Sequence, residues 1–465
     1  MRKNVLTEKK NSWALVISLA ITIVATTINV TSFTILLPSY IDIFHTNLLT
    51  VQWLSTGYTV STCMAVLVVG YLADKYSARN ILLCGVGGFL GFSFFSCLAK
   101  NIYVLIGLRM VIGASAGLIA ATSPSIIYQS LEKEKQLVAM SAFTMASGLG
   151  VAFGPAVAGV LVEFFGWRCV YIFNIFMALV VLFPLIKLVP KIVNGVSNKL
   201  DYKSFLFGAL GTFLLLFGAS YGGQWGWTSA KTLGVWAVGL ALLGIFIRIE
   251  WKSEYPLLNL RVLQNKPFRN AAALYGFSQV ALTLSPFVMS FYFQKVWGYT
   301  PLQAGQAIIF PGLMMAVASP IAGKLAKYVS AKPIVFGLYI ALAGITYMLG
   351  QFTPQTTLVY IMVWLSLRYT VIGASNPLIA NCAFSLVPKE QMSHASSLNN
   401  WLGYTCTALA VAVFTSLMNQ ELVKQISLGL SEPYAMCMAV NKVTIYSMWV
   451  IILCIPLALL LKEKR

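Results

Sequence analysis

Val111-Ile112-Gly113-Ala114-Ser115-Ala116-Gly117-Leu118-Ile119-Ala120 is spelled again, 260 residues later, as Val371-Ile372-Gly373-Ala374-Ser375-Asn376-Pro377-Leu378-Ile379-Ala380, with changes at only two positions. One such match can arise by chance in apolar sequence of low diversity. A second pair argues against chance, because Gly70-Tyr71-Leu72-Ala73-Asp74-Lys75-Tyr76-Ser77-Ala78-Arg79 is echoed by Gly323-Lys324-Leu325-Ala326-Lys327-Tyr328-Val329-Ser330-Ala331-Lys332 at a similar offset. That offset is about half the chain, so the sequence predicts two homologous halves.

Both copies lie in long apolar stretches. A helix needs ~20 mostly apolar residues to cross the hydrocarbon layer. Fourteen candidates fit, at 12–37, 50–73, 80–98, 103–127, 138–162, 169–189, 204–221, 231–249, 270–294, 302–323, 333–350, 356–383, 395–418 and 443–461. A large soluble core can be 58% hydrophobic, but it would not repeat runs of spanning length with so few charged residues inside them. A β-barrel would show short alternating segments instead. The expected class is an all-α membrane protein of fourteen transmembrane helices. Residues 12–189 form an N-terminal six-helix half and 266–461 a C-terminal one, with a linker at 190–265 carrying two extra spans and tails at 1–11 and 462–465. The first stretch lacks a small-residue cleavage site and is expected to stay as the first span.

Charge sets the expected orientation. If residue 1 lies inside, 24 of the 32 Lys and Arg residues fall on inner segments. The outer loops hold six, namely Lys100, Arg168, Lys231, Lys295, Lys424 and Lys442, and Arg109 and Arg368 sit inside spans. This is the positive-inside pattern, placing both termini in the cytoplasm and accounting for most of the net charge of +19 without nucleic acid. The eight cysteines are scattered, mostly within spans, and read as small buried hydrophobes. His45 and His394 lie at span ends and cannot form a metal site alone. No metal or cofactor is expected, nor any enzyme activity, since no nucleophile, base and metal cluster together.

The Gly70–Arg79 segment resembles the loop 2–3 signature of the major facilitator superfamily, with Ser77 in place of its second glycine. Leu105 to Gly113 resembles the fourth-span signature, keeping Arg109 and carrying Ile112 where that signature has Gln. Gly150-x3-Gly154-Pro155-x3-Gly159 is similar to the antiporter signature of the fifth span, with Ala158 replacing one glycine. Trp167-Arg168 followed by Phe173-Asn174 resembles the element opening the sixth span in the fourteen-span drug:proton antiporter group. The resemblance covers nearly the whole chain. It implies the major facilitator fold and secondary active export of small amphipathic molecules by alternating access, driven by a proton gradient, in a cytoplasmic membrane and as a monomer.

The resemblance also assigns roles. Asp74, with Lys75 and Arg79, is expected at an inner gate, its carboxylate meeting the helix that begins near Ser393, where a helix N-terminus favours negative charge by ~0.3–1 kcal/mol; an ordinary anchoring loop is the plainer reading. Gly150, Gly154, Pro155 and Gly159 are expected to pack the fifth span closely, Pro155 removing one backbone donor.

An unpaired guanidinium in mid-membrane costs at least ~2.5–3.5 kcal/mol on insertion scales, so Arg109 and Arg368 should each face a wet cavity or a partner. In the antiporter group the first span carries an acid in a Leu-Asp-x-Thr pattern ahead of Leu-Pro. Here Thr31 keeps the threonine, but Asn29 stands at the acid position. Asn cannot titrate, which puts that proton route in doubt. With no acid deep in any span, electrostatics turns the expected substrate toward anionic, zwitterionic or neutral molecules. Candidate cavity residues are Asn29, Arg109, Arg368, Trp401 and two stripes at helical spacing: Tyr275, Gln279 and Thr283, then Ser393, Ser397, Asn400 and Tyr404. Such stripes also arise as helix–helix contacts. The alternatives are a dedicated exporter of an anionic metabolite or lipid-like compound, and a transport-dead sensor.

Overall fold

The computed structural model describes residues 2–46, 48–191, 201–254, 256–326 and 328–462. Lys199, Lys327, Lys464 and Arg465, counted above among inner basic residues, lie outside them. Among the described residues, fourteen helices are long and apolar enough to cross a membrane. They are α1 (Arg2–Phe44), α2 (Leu48–Tyr76), α3 (Ala78–Cys97), α4 (Ile102–Ser130), α5 (Lys133–Phe165), α6 (Arg168–Leu188), α7 (Tyr202–Trp225), α8 (Ala230–Lys252), α9 (Lys266–Phe291), α10 (Pro301–Leu325), α11 (Ala331–Leu349), α12 (Leu358–Phe384), α13 (Met392–Ser427) and α14 (Glu432–Leu459). An even count returns the chain to the face it started from, here called the terminus side.

Several helices outrun the apolar stretches that announce them. Polar N-caps set their starts: Asn101 accepts from Tyr103 N at 2.8 Å, and Thr300 with Gln303 closes a capping box. The span expected from 443 belongs to a helix that begins at Glu432. Lys424 and Lys442, read from sequence as outer-loop residues, are therefore helical. Lys442 pairs with Glu421 across α13 and α14, and that partner lets a charge sit on a helix flank.

Helix packing repeats with a shift of eight helices. The pairs α1–α5, α2–α4, α3–α6 and α1–α6 recur as α9–α13, α10–α12, α11–α14 and α9–α14. Two six-helix halves thus share one plan, and α7 with α8 is the inserted pair. The repeated decapeptide explains part of this agreement. A Cβ on Gly113 would fall 2.8 Å from Tyr58 Cα on α2, and one on Gly373 would fall 2.9 Å from Met315 Cα on α10. Each copy supplies the glycine at which two backbones touch.

Two seams join the halves, α5 against α10 and α2 against α13. The inserted α7 packs on both members of the second seam. Indole N–H groups tie it there. Trp53 donates to Tyr221 Oη at 2.9 Å, Trp401 to Thr212 Oγ1 at 3.3 Å, and Trp227, just past α7, to Ser416 Oγ at 3.0 Å.

Candidate substrate cavity and terminus-side gate

A cavity of about 410 Å³ opens between the halves, walled by α1, α2, α4 and α5 on one side and α9, α10, α12 and α13 on the other. The repeat shapes it directly. Ala116, Ala120 and Pro124 form an i, i+4 stripe on α4, and their repeat counterparts Asn376, Ala380 and Phe384 form one on α12; all six line the cavity. One of the two positions at which the decapeptides differ, Ala116 against Asn376, is thus a wall position. The wall has equivalent backbones and unequal side chains.

Among the described lining residues there is no Asp, Glu, Lys, Arg or His. Aromatic faces come from Tyr58, Phe143, Tyr275, Phe287 and Tyr404, and hydroxyls from residues such as Thr27, Thr59 and Thr283. Gln279, Asn376 and Asn399 line it too, and their side-chain oxygens accept no hydrogen bond from the described residues. Chemically this is an apolar, aromatic chamber with a few neutral acceptors.

The residues expected to line a cavity separate into two groups. Tyr275, Gln279, Thr283, Asn400 and Tyr404 do line it. Asn29, Arg109, Arg368, Trp401, Ser393 and Ser397 are not among its lining residues. Arg109 is 1% exposed: its guanidinium donates to Asn29 Oδ1 at 2.6 Å and to Leu54 O at 3.3 Å, and it lies 3.6 Å from the Phe33 ring centroid and 4.6 Å from that of Tyr58. Arg368, also 1% exposed, donates to Ala281 O at 3.1 Å and to Thr346 Oγ1. Each arginine meets its burial with side-chain and carbonyl partners. Both bind the first helix of their own half, α1 or α9, although they are one register position apart.

On the terminus side the chamber is shut by contacts between α13 and the N-terminal half. Ser393 Oγ lies 3.0 Å from Ser125 Oγ, Ser396 Oγ donates to Ala121 O at 2.7 Å, and Asn400 Nδ2 reaches Ala120 O at 3.4 Å. Asp74 Oδ2 meets His394 Nε2 at 2.9 Å in the first turn of α13. A Cβ on Gly70 would strike the His394 ring. This loop's first glycine is the space in which the imidazole lies. Lys75 donates to Tyr71 Oη at 3.3 Å and Arg79 to Ile186 O on α6, both contacts inside the N-terminal half.

The antiporter-type glycines divide between two faces of α5. A Cβ at Gly150 would meet Thr27 Cβ at 2.6 Å and one at Gly154 would meet Ile28 Cα at 3.2 Å, both on α1. One at Gly159 would meet Leu302 Cα at 3.0 Å, while Gly305 on α10 sits against the Pro155 carbonyl. Pro155 also lines the cavity. The motif therefore brings α5 close to both α1 and α10.

Sequence reasoning missed His394 as a gate residue, since it was weighed only as a metal ligand. It also missed Tyr58, Phe287 and Asn399, although Phe287 continues the Tyr275, Gln279, Thr283 spacing by one more step.

The sequence profile of the Major Facilitator Superfamily matches residues 19–412. The chain belongs to the major facilitator superfamily. Among relatives of this major facilitator are the multidrug resistance protein Stp of Mycobacterium tuberculosis, 27% identical over 372 residues, covering 79% of this chain and 68% of that one. The riboflavin transporter RibZ of Clostridioides difficile is 26% identical over 422 residues, covering 89% and 90%. The tetracenomycin C resistance and export protein of Streptomyces glaucescens is 23% identical over 415 residues, covering 87% and 76%. The crystal structure of the human organic anion transporter MFSD10 superposes with a TM-score of 0.67 at 14% identity, covering 96% of this chain and 99% of that one. The fold of this major facilitator is thus shared well beyond its sequence relatives.

Proposed function

We propose that this membrane transporter exports neutral, amphipathic, aromatic small molecules from the cytoplasm by alternating access, driven by the proton gradient, with both termini cytoplasmic. One observation carries the substrate class: the cavity wall holds aromatic rings, hydroxyls and amides and no charged side chain among the described residues. A fixed charge on a ligand would lose hydration there without meeting a counter-charge. Export is supported by relatives named for multidrug resistance and for tetracenomycin C resistance and export. The anion-exporter alternative drew on Arg109 and Arg368 as cavity charges. Neither is a lining residue, so that support is gone.

The test uses proteoliposomes under an imposed pH gradient, loaded with matched fluorescent aromatic compounds that differ only in charge. Gradient-driven movement of the neutral compound, well above the cationic and anionic ones, is expected. Equal or faster movement of a charged compound would reject the substrate class, and movement indifferent to the gradient would reject proton drive.

A further inference from the structure

We propose that His394 binds a proton as the switch of the terminus-side gate, and that the linker ahead of α9 responds to its charge. This rests on the reading of the chain as an exporter working by alternating access, and concerns the control of its gate rather than the coupling proton. Two consecutive linker amides are held by ionisable side chains from neighbouring helices. Leu258 N donates to Glu250 Oε2 of α8 at 3.0 Å, and Asn259 N donates to His394 Nδ1 of α13 at 3.2 Å. Because Nδ1 accepts, the ring proton sits on Nε2, which faces Asp74 Oδ2 of α2 at 2.9 Å. One neutral imidazole, 7% exposed, thus joins the N-terminal half, the C-terminal half and the connection from the inserted helices.

Three carboxylates border this place. A pocket of about 180 Å³ beside the ring is lined by Asp74, Glu254 and Glu390 with Tyr71 and Asn259. Lys75 on α2 turns to Tyr71, and Arg261 on the linker donates to Trp251 O and Ser253 O. A proton arriving from that pocket adds to the lone pair of Nδ1. The acceptor becomes a donor, the Asn259 N–H then faces another N–H, and their hydrogen bond is lost. The imidazolium simultaneously becomes the charged partner of Asp74. Protonation therefore tightens the contact between the halves and releases the linker. Opening the gate separates His394 from Asp74, removes that stabilisation and returns the proton to water on the terminus side.

The experiment is amide hydrogen exchange on the purified full-length protein between about pH 5.5 and 7.5, normalised for intrinsic rates, beside dye efflux over the same range. His394→Gln is the comparison, since its amide can accept from Asn259 and donate to Asp74 but cannot titrate. In the native protein, acidification should speed exchange in 256–262 by roughly 2- to 12-fold, the span that loss of one ordinary hydrogen bond allows, and should alter efflux. His394→Gln should be flat in both, with a thermal midpoint near native. An equal pH response in His394→Gln, or none in the native linker, would overturn the assignment. A native protein that exports nothing yet keeps the His394-dependent linker response would sustain it and overturn the exporter reading instead.

Discussion

The carboxamide oxygen of Asn29 accepts a hydrogen bond from the Arg109 guanidinium at 2.6 Å, with Asn29 fully buried. A position that carries an acid in the antiporter pattern here holds a neutral acceptor against a buried charge. Asn29→Asp would place a carboxylate on that guanidinium and away from the cavity wall. It should stabilise the protein by about 2 kcal/mol, the scale of a hydrogen bond to a charged group, and leave dye selectivity unchanged. Thermal unfolding in detergent and parallel efflux assays check both halves of this statement; a gain in cationic-dye export would place Asn29 in the transport path.

Arg109→Ala and Arg368→Ala should act on folding rather than on substrate affinity. Each removes donors that satisfy buried carbonyls, and each leaves a hole in a packed wall. Losses of about 3 kcal/mol or more are expected, read as lower yield and thermal midpoint. A variant that folds normally with a raised KM would put that arginine in contact with substrate.

Gly113→Ala and Gly373→Ala should be matched in severity, because the two glycines fill one role in the two halves. Gly87→Ala and Gly91→Ala are the controls, since an added Cβ there meets nothing within 4 Å. The first pair should cost several kcal/mol through forced separation of helices, and the second should be neutral or stabilising by up to ~1 kcal/mol. Expression and unfolding midpoints of the four variants decide it.

Filling the cavity should stop transport without unfolding the chain. Ala116→Phe projects a ring into the space that Asn376 faces from the other half. Phe287→Ala should instead leave transport running with kcat/KM for an aromatic compound reduced about tenfold, near the upper range of one lost aromatic contact. Binding titrations and efflux rates separate the two effects.

Ser77 adopts φ 82° and ψ 136°, a conformation suited to glycine, and its buried hydroxyl has no hydrogen-bond partner among the described residues. Ser77→Gly should therefore stabilise the turn between α2 and α3 by about 1 kcal/mol, measured as a higher unfolding midpoint.

Much of this architecture is legible in the sequence because the membrane permits few solutions. Length and hydropathy locate the helices, and the repeat locates the partition into halves. Tyr275, Gln279 and Asn400 line the cavity, and their spacing marks them, since a polar stripe on an apolar helix needs somewhere to face. Arg109 and Arg368 were misplaced for a physical reason. Depth says that a charge needs relief but not whether water or a carbonyl supplies it. His394 was missed because its role depends on Asp74, 320 residues away, and on a linker amide that no helical period announces.

The mooring of α7 makes the molecule mechanically one-sided. Trp53, Trp227 and Trp401 fasten the α7 region to α2 and α13, bracing one seam, while among the described residues no inserted helix straps the α5–α10 seam, which presents Phe153, Val160, Phe310 and Val317 outward at 41% to 54% exposure. Rocking of one half on the other would slide α7 along α2 or α13 and load those indole bonds, whereas the opposite seam packs glycines closely and is crossed by the Ser319 Oγ to Ser141 O hydrogen bond at 2.9 Å. Such a stroke would be stiffer on one flank, and a solute dissolved in the bilayer would meet a braced wall from one direction and an unbraced one from the other.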